Sequence, residues 1–270
     1  RRIVVACPRP SAEILAASAR LRVGALARVG GAQSIAALAY GTASVEPVDK
    51  IVGPGNRYVT AAKRLVSADR EIDFPAGPTE VLVLAVSGDP RFIAADLLAQ
   101  AEHDADAIAL LVTTSSRLAR EVSAEVELQL AALPKTNPAR RAIARNGAAL
   151  VARSLDSAIA FTNRLAPEHL ALPGAERAIL RRIDAAGSVF LGPLTAQSLG
   201  DFATGSNHTL PTSGIARSRG GLSVSDFVRL VSVQEVTRDG LRRLRPVVKA
   251  FAEAEGLVAH GRAVDVRGDR

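Results

Sequence analysis

The stretch Glu80-Val81-Leu82-Val83-Leu84-Ala85-Val86 is a short apolar run rich in β-branched residues. A similar run occupies residues 108–114, and the segment between them, residues 90–104, has the character of a helix. Continuous apolar strands are typical of parallel sheets with helices on both faces, because such strands turn no face to water. The order strand, helix, strand therefore predicts parallel βαβ units and an α/β fold.

The same alternation continues on both sides of this stretch. Further strands are predicted at residues 3–6, 48–52, 148–152 and 188–191, and further helices at residues 11–22 and 57–66. From about residue 222 the strand pattern fades, and residues 238–259 predict one or two helices. A helical tail after an α/β core is often a contact between subunits, although packing onto its own core is an equally good interpretation.

Size and composition limit the class of protein. The chain has 270 residues, of which 48% are hydrophobic, and this is enough for a large core and predicts two domains. No apolar run approaches the ~18 residues of a membrane span, and no charged segment followed by an apolar one indicates a secretory signal. The single cysteine, Cys7, cannot form an internal disulfide. We expect a cytoplasmic protein with no membrane partner.

The net charge of +7 raises the question of nucleic-acid binding. The basic residues are scattered, however, and the densest run lies on the predicted helix at residues 238–249. Only two tyrosines and seven phenylalanines are available for stacking on bases. A solvated surface or a subunit contact is the better interpretation, and no nucleic-acid partner is expected.

The chain contains no methionine and enters its first predicted strand at residue 3. Natural domains rarely begin so abruptly. We therefore expect the sequence to be a fragment of a longer protein.

The turn Gly53-Pro54-Gly55-Asn56 lies between a predicted strand and a predicted helix. Its glycines permit close approach to the backbone, and a helix N-terminus favours an anionic ligand. The dinucleotide fingerprint G-x-G-x-x-G is absent, since Tyr58 occupies the position of the third glycine. By these residues alone, a tight structural turn is the better interpretation.

Gln100 and His103 stand at the end of the predicted helix 90–104. Residues three apart on a helix project from one face, about 60° apart around the axis, which suits two ligands of one metal ion. Capping or solvated polar residues at a helix end are the commoner explanation of such a pair.

Glu168 and His169 are adjacent in an apolar setting, between Leu165 and Leu172. Histidine titrates near neutral pH, so an acid beside it forms a pair suited to proton transfer. The alternative is a loop with one outward charge and one hydrogen-bonded histidine.

Two further segments carry polar groups. Asp201 and His208 belong to the run Gly200-Asp201-Phe202-Ala203-Thr204-Gly205-Ser206-Asn207-His208, whose composition predicts a shaped loop. Glu255 and His260 lie in the tail without a local pattern of their own. The chain has only four histidines, and each lies in or beside one of the segments described: His103, His169, His208 and His260. This concentration indicates a metal site or a proton-transfer site without deciding between them.

Taken in order, these segments resemble the signature blocks of the histidinol dehydrogenase family. The blocks are residues 31–42, 48–56, 76–80, 100–104, 166–170 and 200–212. The most distinctive are Ser206-Asn207-His208-Thr209-Leu210-Pro211-Thr212 and Gly221-Leu222-Ser223-Val224-Ser225-Asp226-Phe227. The likeness covers essentially the whole chain.

The resemblance implies a role for each matching residue. One Zn²⁺ per subunit would be bound by four side chains, those of Gln100, His103, Asp201 and His260. Nitrogen and oxygen ligands without thiolate suit Zn²⁺, although Mn²⁺ or Co²⁺ would also fit. Glu168 and His169 match the two catalytic acid–base residues. Substrate contacts would come from Thr79, Gln100, His103, His169, Asp201, Glu255 and His260, and NAD⁺ contacts from Gln33 and Asn56.

The resemblance also implies an architecture of two Rossmann-like parallel-sheet domains with a helical C-terminal tail. We assign residues 1–78 to the smaller domain on the NAD⁺ side, residues 79–221 to the larger, metal-binding and catalytic domain, and residues 222–270 to the tail. One domain would be incomplete, since the family has a long segment upstream of residue 3, including an aromatic NAD⁺ contact. In the family the tail reaches across a homodimer, so Glu255 and His260 would complete the partner subunit's site.

The activity implied is the zinc- and NAD⁺-dependent, four-electron oxidation of L-histidinol to L-histidine through histidinal, the last step of histidine biosynthesis. Thr79 stands where the family usually has serine, which is a mild departure. Two alternatives remain at this point: a truncated, non-catalytic homologue, and a related dehydrogenase that acts on another alcohol.

Overall fold

The structure is a computed structural model that describes residues 2–174 and 177–268. The chain divides into two compact units, with Asp226 the last residue of the first and Phe227 the first residue of the second.

The first unit begins with β1 (Val4–Ala6), α1 (Ala12–Arg20), β2 (Ala25–Ala27), α2 (Gly31–Tyr40), β3 (Lys50–Ile51), α3 (Arg57–Val66) and β4 (Glu71–Ile72). It continues with β5 (Glu80–Leu84), α4 (Pro90–Ala101), β6 (Ile108–Thr113), α5 (Ser116–Ala132), α6 (Ala139–Asn146) and β7 (Gly147–Val151). Then follow α7 (Leu155–Leu165), β8 (His169–Leu172), α8 (Arg177–Leu180), β9 (Ser188–Leu191) and α9 (Gln197–Phe202). Short 3₁₀ turns lie at Ile215–Arg217 and Val224–Phe227.

Strands β5 to β9 form one parallel sheet of five strands in the order β7-β6-β5-β8-β9. The chain starts in the middle, builds toward one edge through β6 and β7, and then crosses over α7 to build the other edge. This is the strand order 3-2-1-4-5 of doubly wound, Rossmann-like sheets. The sequence prediction of an α/β fold with parallel strands is confirmed.

Helices cover both faces of the five-stranded sheet. Val81 and Val83 of β5 point into a core shared with α4, α5 and α6, whereas Leu82 and Leu84 point into a second core shared with α7 and α8. All five residues of β5 are buried. The strand is apolar after Glu80 because successive side chains turn to opposite faces, and neither face meets water.

The segment before β5 contains two small parallel pairs, β1 with β2 and β3 with β4. Their helices α2 and α3 pack on a separate core that includes Ile35, Leu38, Ile51 and Val66. Within the part of the chain that the structure describes, each of these two sheets has two strands. The domain boundaries assigned from the sequence, at residues 78 and 221, stay predictions.

The sequence patterns missed or misplaced some elements. Helix α2 was not predicted, because the run Gly31–Tyr40 is made of small and apolar residues without a polar stripe. The helix predicted at residues 90–104 ends at Ala101, so His103 lies in the turn beyond α4. The prediction that the helix reaches residue 104 is therefore wrong, although the His103 amide still donates to the Gln100 carbonyl at 3.3 Å.

The second unit contains α10 (Arg238–Ala254) and α11 (Val258–Gly268), so the predicted tail is two helices. The chain turns between them at Gly256, whose φ of +68° suits glycine. Asp265 joins the helices by accepting from Arg245 Nε at 2.7 Å and from Lys249 Nζ at 3.2 Å. Throughout the described ranges, no helix combines the length and the apolar character that crossing a membrane requires.

Candidate active site

The predicted acid–base residues lie at the amino ends of the strands. Thr79 directly precedes β5, Glu168 directly precedes β8, and His169 is the first residue of β8. Because β5 and β8 are adjacent and His169 pairs with Val81 in the register, these side chains meet at one sheet edge. Doubly wound sheets usually bind ligands at the carboxyl ends of their strands. The candidate site therefore lies at the opposite end of the strands from the one where sheets with this strand order usually bind ligands.

Thr79 joins two of the predicted site residues. Its hydroxyl donates to Glu168 Oε2 at 2.6 Å and accepts a short hydrogen bond from Gln100 Nε2. Glu168 Oε2 also accepts from the backbone amide of Glu80 at 2.9 Å. The carboxylate of Glu168 is buried, and two donors fix the same oxygen. Its orientation is therefore set by the start of β5.

His169 is held in one orientation by the backbone of β5. Its Nδ1 lies 3.2 Å from the Glu80 carbonyl, and since a carbonyl only accepts, Nδ1 carries the proton. The Nε2 atom is buried and has no hydrogen-bond partner among the described residues. This tautomer leaves Nε2 as a proton acceptor.

Neighbouring charges act on the same ring. Burial lowers the pKa of His169, but the hydrogen bond and charge of Glu168 at 3.5 Å, with the Glu80 carbonyl and the charge of Asp201, raise it more, so the net pKa is raised. His169 thus prefers to take up a proton more than an isolated histidine does.

Asp201 brings two histidines together. Its Oδ1 lies 3.9 Å from His169 Nε2, and its Oδ2 lies 3.8 Å from His103 Nε2. Asp201 belongs to α9, so only the later part of the stretch predicted as a loop is irregular. Gln100, Thr79, Glu168, His169, Asp201 and His103 form a continuous series of contacts, which is called the six-residue network below.

The network contains donors that suit a metal ion. Gln100 is fully buried, and its Oε1 has no hydrogen-bond partner among the described residues, while Nε2 is used on Thr79. An orphaned amide oxygen, a carboxylate and an imidazole are ligands that Zn²⁺ accepts. Within the described ranges no cluster of three or more His, Cys, Asp or Glu side chains forms a metal site. The four ligands implied by the family resemblance would not form such a cluster. One of them is the amide of Gln100, and another, His260, lies in the second unit. The first-unit residues therefore supply the kinds of donor atom that a metal ion accepts.

Three polar residues near the network were missed by the sequence analysis. Gln197 is fully buried, its Nε2 lies 3.5 Å from Asp201 Oδ2, and its Oε1 has no partner in the described part of the chain. Its backbone amide donates to Asp96 of α4 at 3.3 Å. Burial raises the pKa of Asp96 to about 6. The third residue is Glu80. Among the three, only Glu80 could have been noticed in the sequence, because it is the single acid at the start of an apolar strand.

Glu80 supports the site from the buried side. Its Oε1 accepts from the backbone amide of Ser213 at 2.9 Å, and burial is the main reason that its pKa is raised. The start of β5 is thereby connected to the loop that follows the distinctive block at residues 206–212.

Phe190 and Gly200 pack beside the acid–base pair. The ring centroids of Phe190 and His169 are 5.8 Å apart. A Cβ on Gly200 would lie 2.6 Å from the Phe190 ring, so only glycine lets α9 approach so closely. His208, the remaining histidine of the first unit, is exposed.

The glycine turn at residues 53–56 lies between β3 and α3. Gly53 has a φ of +120°, and a Cβ built there would meet no atom within 4 Å, so the space on that side is open. Asn56 caps α3 by accepting from the amides of Tyr58 at 3.0 Å and Val59 at 3.1 Å. Its Oδ1 is thus used, while the amide Nδ2 donates to no residue in the described ranges. Gln33 is exposed on α2, and neither Gln33 nor Asn56 joins the six-residue network in the described ranges.

The two tail residues lie in the second unit. Glu255 is the C-terminal cap of α10, and His260 is exposed in the first turns of α11. Their predicted roles toward a partner subunit stay predictions.

The fold and the six-residue network define an α/β protein with a Rossmann-like sheet and a buried acid–histidine pair beside candidate metal ligands. The profile of the family described as histidinol dehydrogenase matches residues 1–268. The chain belongs to the histidinol dehydrogenase family.

Individual relatives agree with this family. The chain is 51% identical to the histidinol dehydrogenase of Geobacter sulfurreducens, covering 98% of this chain and 63% of the relative. It is 48% identical to that of Aliivibrio fischeri, covering 98% of this chain and 62% of the relative. The crystal structure of histidinol dehydrogenase from Elizabethkingia anophelis superposes with a TM-score of 0.90 at 43% identity, over 94% of this chain and 59% of that one. The chain thus spans less than two thirds of these relatives' length.

Proposed function

We propose that this chain carries the catalytic part of a histidinol dehydrogenase, which oxidises L-histidinol to L-histidine through histidinal with two NAD⁺. The observation that carries the proposal is the six-residue network, because it joins a buried Glu168–His169 pair to candidate metal ligands at one sheet edge. A metal-assisted alcohol oxidation needs a proton acceptor and a means of holding the alcohol, and the network offers both.

The metal would be held by Gln100, His103 and Asp201 of the first unit, with the partner subunit's His260 as the fourth ligand. When bound, one Zn²⁺ per subunit supplies a Lewis acid that orients the substrate, and NAD⁺ supplies the hydride acceptor. The unpartnered Oε1 of Gln100 supports this assignment, since a buried amide oxygen without a donor is costly unless a cation takes that place.

His169 would serve as the base in the first oxidation. With Nδ1–H directed at the Glu80 carbonyl, Nε2 accepts the proton of the substrate hydroxyl. Loss of this proton and of a hydride, for which NAD⁺ would be the acceptor, would convert the alcohol carbon into the aldehyde carbon of histidinal. The nearby charges of Glu168 and Asp201 stabilise the imidazolium that results.

Glu168 would act in the second stage. Its carboxylate, fixed through Oε2 by Thr79 and the Glu80 amide, accepts a proton from water as the water oxygen attacks the aldehyde carbon. After His169 has released its first proton to solvent, its Nε2 would accept a hydroxyl proton of the hydrate, and loss of a second hydride, for which a second NAD⁺ would be the acceptor, would leave the carboxyl group of histidine. Burial of both residues limits the access of bulk water to the reactive aldehyde.

Further substrate contacts would come from Thr79 in this subunit and from Glu255 and His260 of a partner subunit, so we propose a homodimer. Gln33 and Asn56 would contact NAD⁺. The Nδ2 of Asn56, which donates to no described residue, and the open side of Gly53 support that placement.

The experiment uses the full-length protein. Purified protein is expected to contain about one zinc per subunit and to form two NADH for each L-histidinol consumed. Metal content by atomic emission and NADH absorbance measure the two quantities. A zinc-loaded protein that forms no NADH with L-histidinol would overturn the proposal. If a substrate panel shows turnover of a different amino alcohol instead, the proposed substrate is wrong and the proposed site still stands.

A further inference from the structure

A buried ion pair lies behind the glycine turn. Lys63 of α3 and Asp73, directly after β4, form this pair, and their side chains are 3% and 1% exposed. Both charges lose their water on burial, so such a pair contributes little net stability. The mechanism above uses neither residue. The role of the ion pair is therefore inferred from the backbone groups that its two side chains contact.

Both members of the pair bind the backbone of Gly53. The Gly53 amide donates to Asp73 Oδ2 at 2.8 Å, and Lys63 Nζ donates to the Gly53 carbonyl at 3.0 Å. The other carboxylate oxygen of Asp73 accepts from the Phe74 amide at 2.7 Å. The polar groups of one glycine are therefore held from both sides by oppositely charged side chains.

The position of Gly53 explains why two contacts are needed. Its φ of +120° lies in a region that other residues rarely adopt, and no neighbouring side chain crowds the site of a Cβ. The hydrogen bonds to its amide and its carbonyl hold Gly53 in this conformation. Asn56 is the N-cap of α3 and Lys63 lies in the last turn of the same helix, so the contact of Lys63 with the Gly53 carbonyl connects the turn to the helix that Asn56 begins.

We propose that Lys63 and Asp73 are positioning residues for NAD⁺, holding the turn from Gly53 to Asn56 in the conformation that the dinucleotide contacts. This inference rests on the proposed function, since it takes the turn as part of the NAD⁺ site. Neither residue touches the cofactor in this proposal. Their effect passes through the backbone of Gly53.

The test is the double variant Lys63→Met/Asp73→Leu in the full-length protein. Replacing both members of a buried pair with apolar side chains is often neutral for stability. Because the Gly53 and Phe74 backbone groups lose these partners, we expect a variant that folds with a lowered Tm. Its Kd for NADH, from fluorescence titration, should be raised about tenfold or more because the turn loses its preorganisation. The KM for NAD⁺ should rise while the KM for L-histidinol stays unchanged. Tyr40→Phe is the matched control, because it removes an exposed hydrogen bond to Asp69 of 2.7 Å in the same region and should leave the NADH affinity unchanged.

A second variant guards against misfolding of the first. Gly53→Ala adds a methyl group into open space but disfavours the φ of +120°, so it should weaken NADH binding in the same direction. A folded variant of either kind that binds NADH with the wild-type Kd would overturn the inference. Absence of NADH binding by the wild type would instead overturn the NAD⁺ part of the proposed function.

Discussion

The hydroxyl of Thr79 donates a 2.6 Å hydrogen bond to Oε2 of Glu168, a residue 89 positions away in the chain. The same hydroxyl accepts from Gln100 Nε2, so one side chain connects the candidate metal ligand to the candidate acid–base pair. Any change at Thr79 therefore acts on both halves of the site.

Replacing Thr79 with valine should lower kcat roughly tenfold, which corresponds to the loss of a hydrogen bond worth about 1.5 kcal/mol. Valine keeps the shape of threonine but leaves Glu168 and Gln100 without this partner. Thr79→Ser is the control, since it retains the hydroxyl and should keep most of the activity. Steady-state kinetics on the full-length protein measures both variants, and equal kcat values for valine and wild type would contradict the expectation.

The His169 ring should titrate above the ordinary histidine pKa of 6.5 in metal-free protein, because the raising effects of Glu168, the Glu80 carbonyl and Asp201 together exceed the lowering by burial. A raised pKa means that this histidine adds stability which is complete below about pH 6.5 and is lost as the pH rises through the folded-state pKa. In Glu168→Gln the pKa of His169 should fall, since the amide has no charge.

The measurement is an NMR titration of the histidine Cε1 proton, with His169→Asn to assign the signal. Glu102→Gln, an exposed substitution, should leave the titration unchanged. A His169 pKa that does not move in Glu168→Gln would mean that the pair is not electrostatically coupled.

Gln100→Leu should weaken zinc binding at least about tenfold, because leucine fills the buried volume but removes the unpartnered Oε1. Glu102→Gln again serves as the matched control, since it lies two residues away and is exposed. Competition with a chromophoric chelator gives the zinc Kd without any need for turnover. Unchanged zinc affinity in Gln100→Leu would remove Gln100 from the ligand set.

Asp96→Asn should stabilise metal-free protein at neutral pH, by on the order of 2 kcal/mol. Burial raises the pKa of Asp96 from 3.8 to about 6, so the folded state binds this proton more tightly than the unfolded chain. The wild type therefore loses stability as the pH rises from about 4 past 6, whereas the asparagine variant does not. Asparagine can still accept from the Gln197 amide.

Urea denaturation at pH 4 and pH 7.5 checks this expectation. The two proteins should have similar free energies of unfolding at the lower pH and differ at the higher one. A difference that is the same at both pH values would show that burial of the Asp96 charge is not its cause.

The strands of the central sheet could be read from the sequence because their signal is local. The runs that became β5, β6 and β9 are apolar and bounded by polar segments, and their positions were predicted within one or two residues. The end of α4 was less well predicted, since a polar residue such as His103 is compatible with both a last helical turn and the turn that follows it.

Some of the site residues could likewise be identified from the sequence, and others could not. Adjacent Glu168 and His169 stood out by residue type, and the family blocks marked Gln100 and Asp201. Gln197, Asp96 and the Lys63–Asp73 pair carried no such mark, because glutamine, aspartate and lysine are common on surfaces and only burial distinguishes these four.

The sequence by itself determined the fold class, the family and the residue types of the candidate site, because these depend on local pattern and on ordered motifs. The tertiary structure decided that Thr79 donates a hydrogen bond to Glu168 and that the network lies at the amino ends of β5 and β8. It also decided that His169 Nε2 has no hydrogen-bond partner among the described residues. Each of these depends on the parallel register of strands far apart in the chain. A contact of that kind is created by packing and leaves no periodic trace in the sequence.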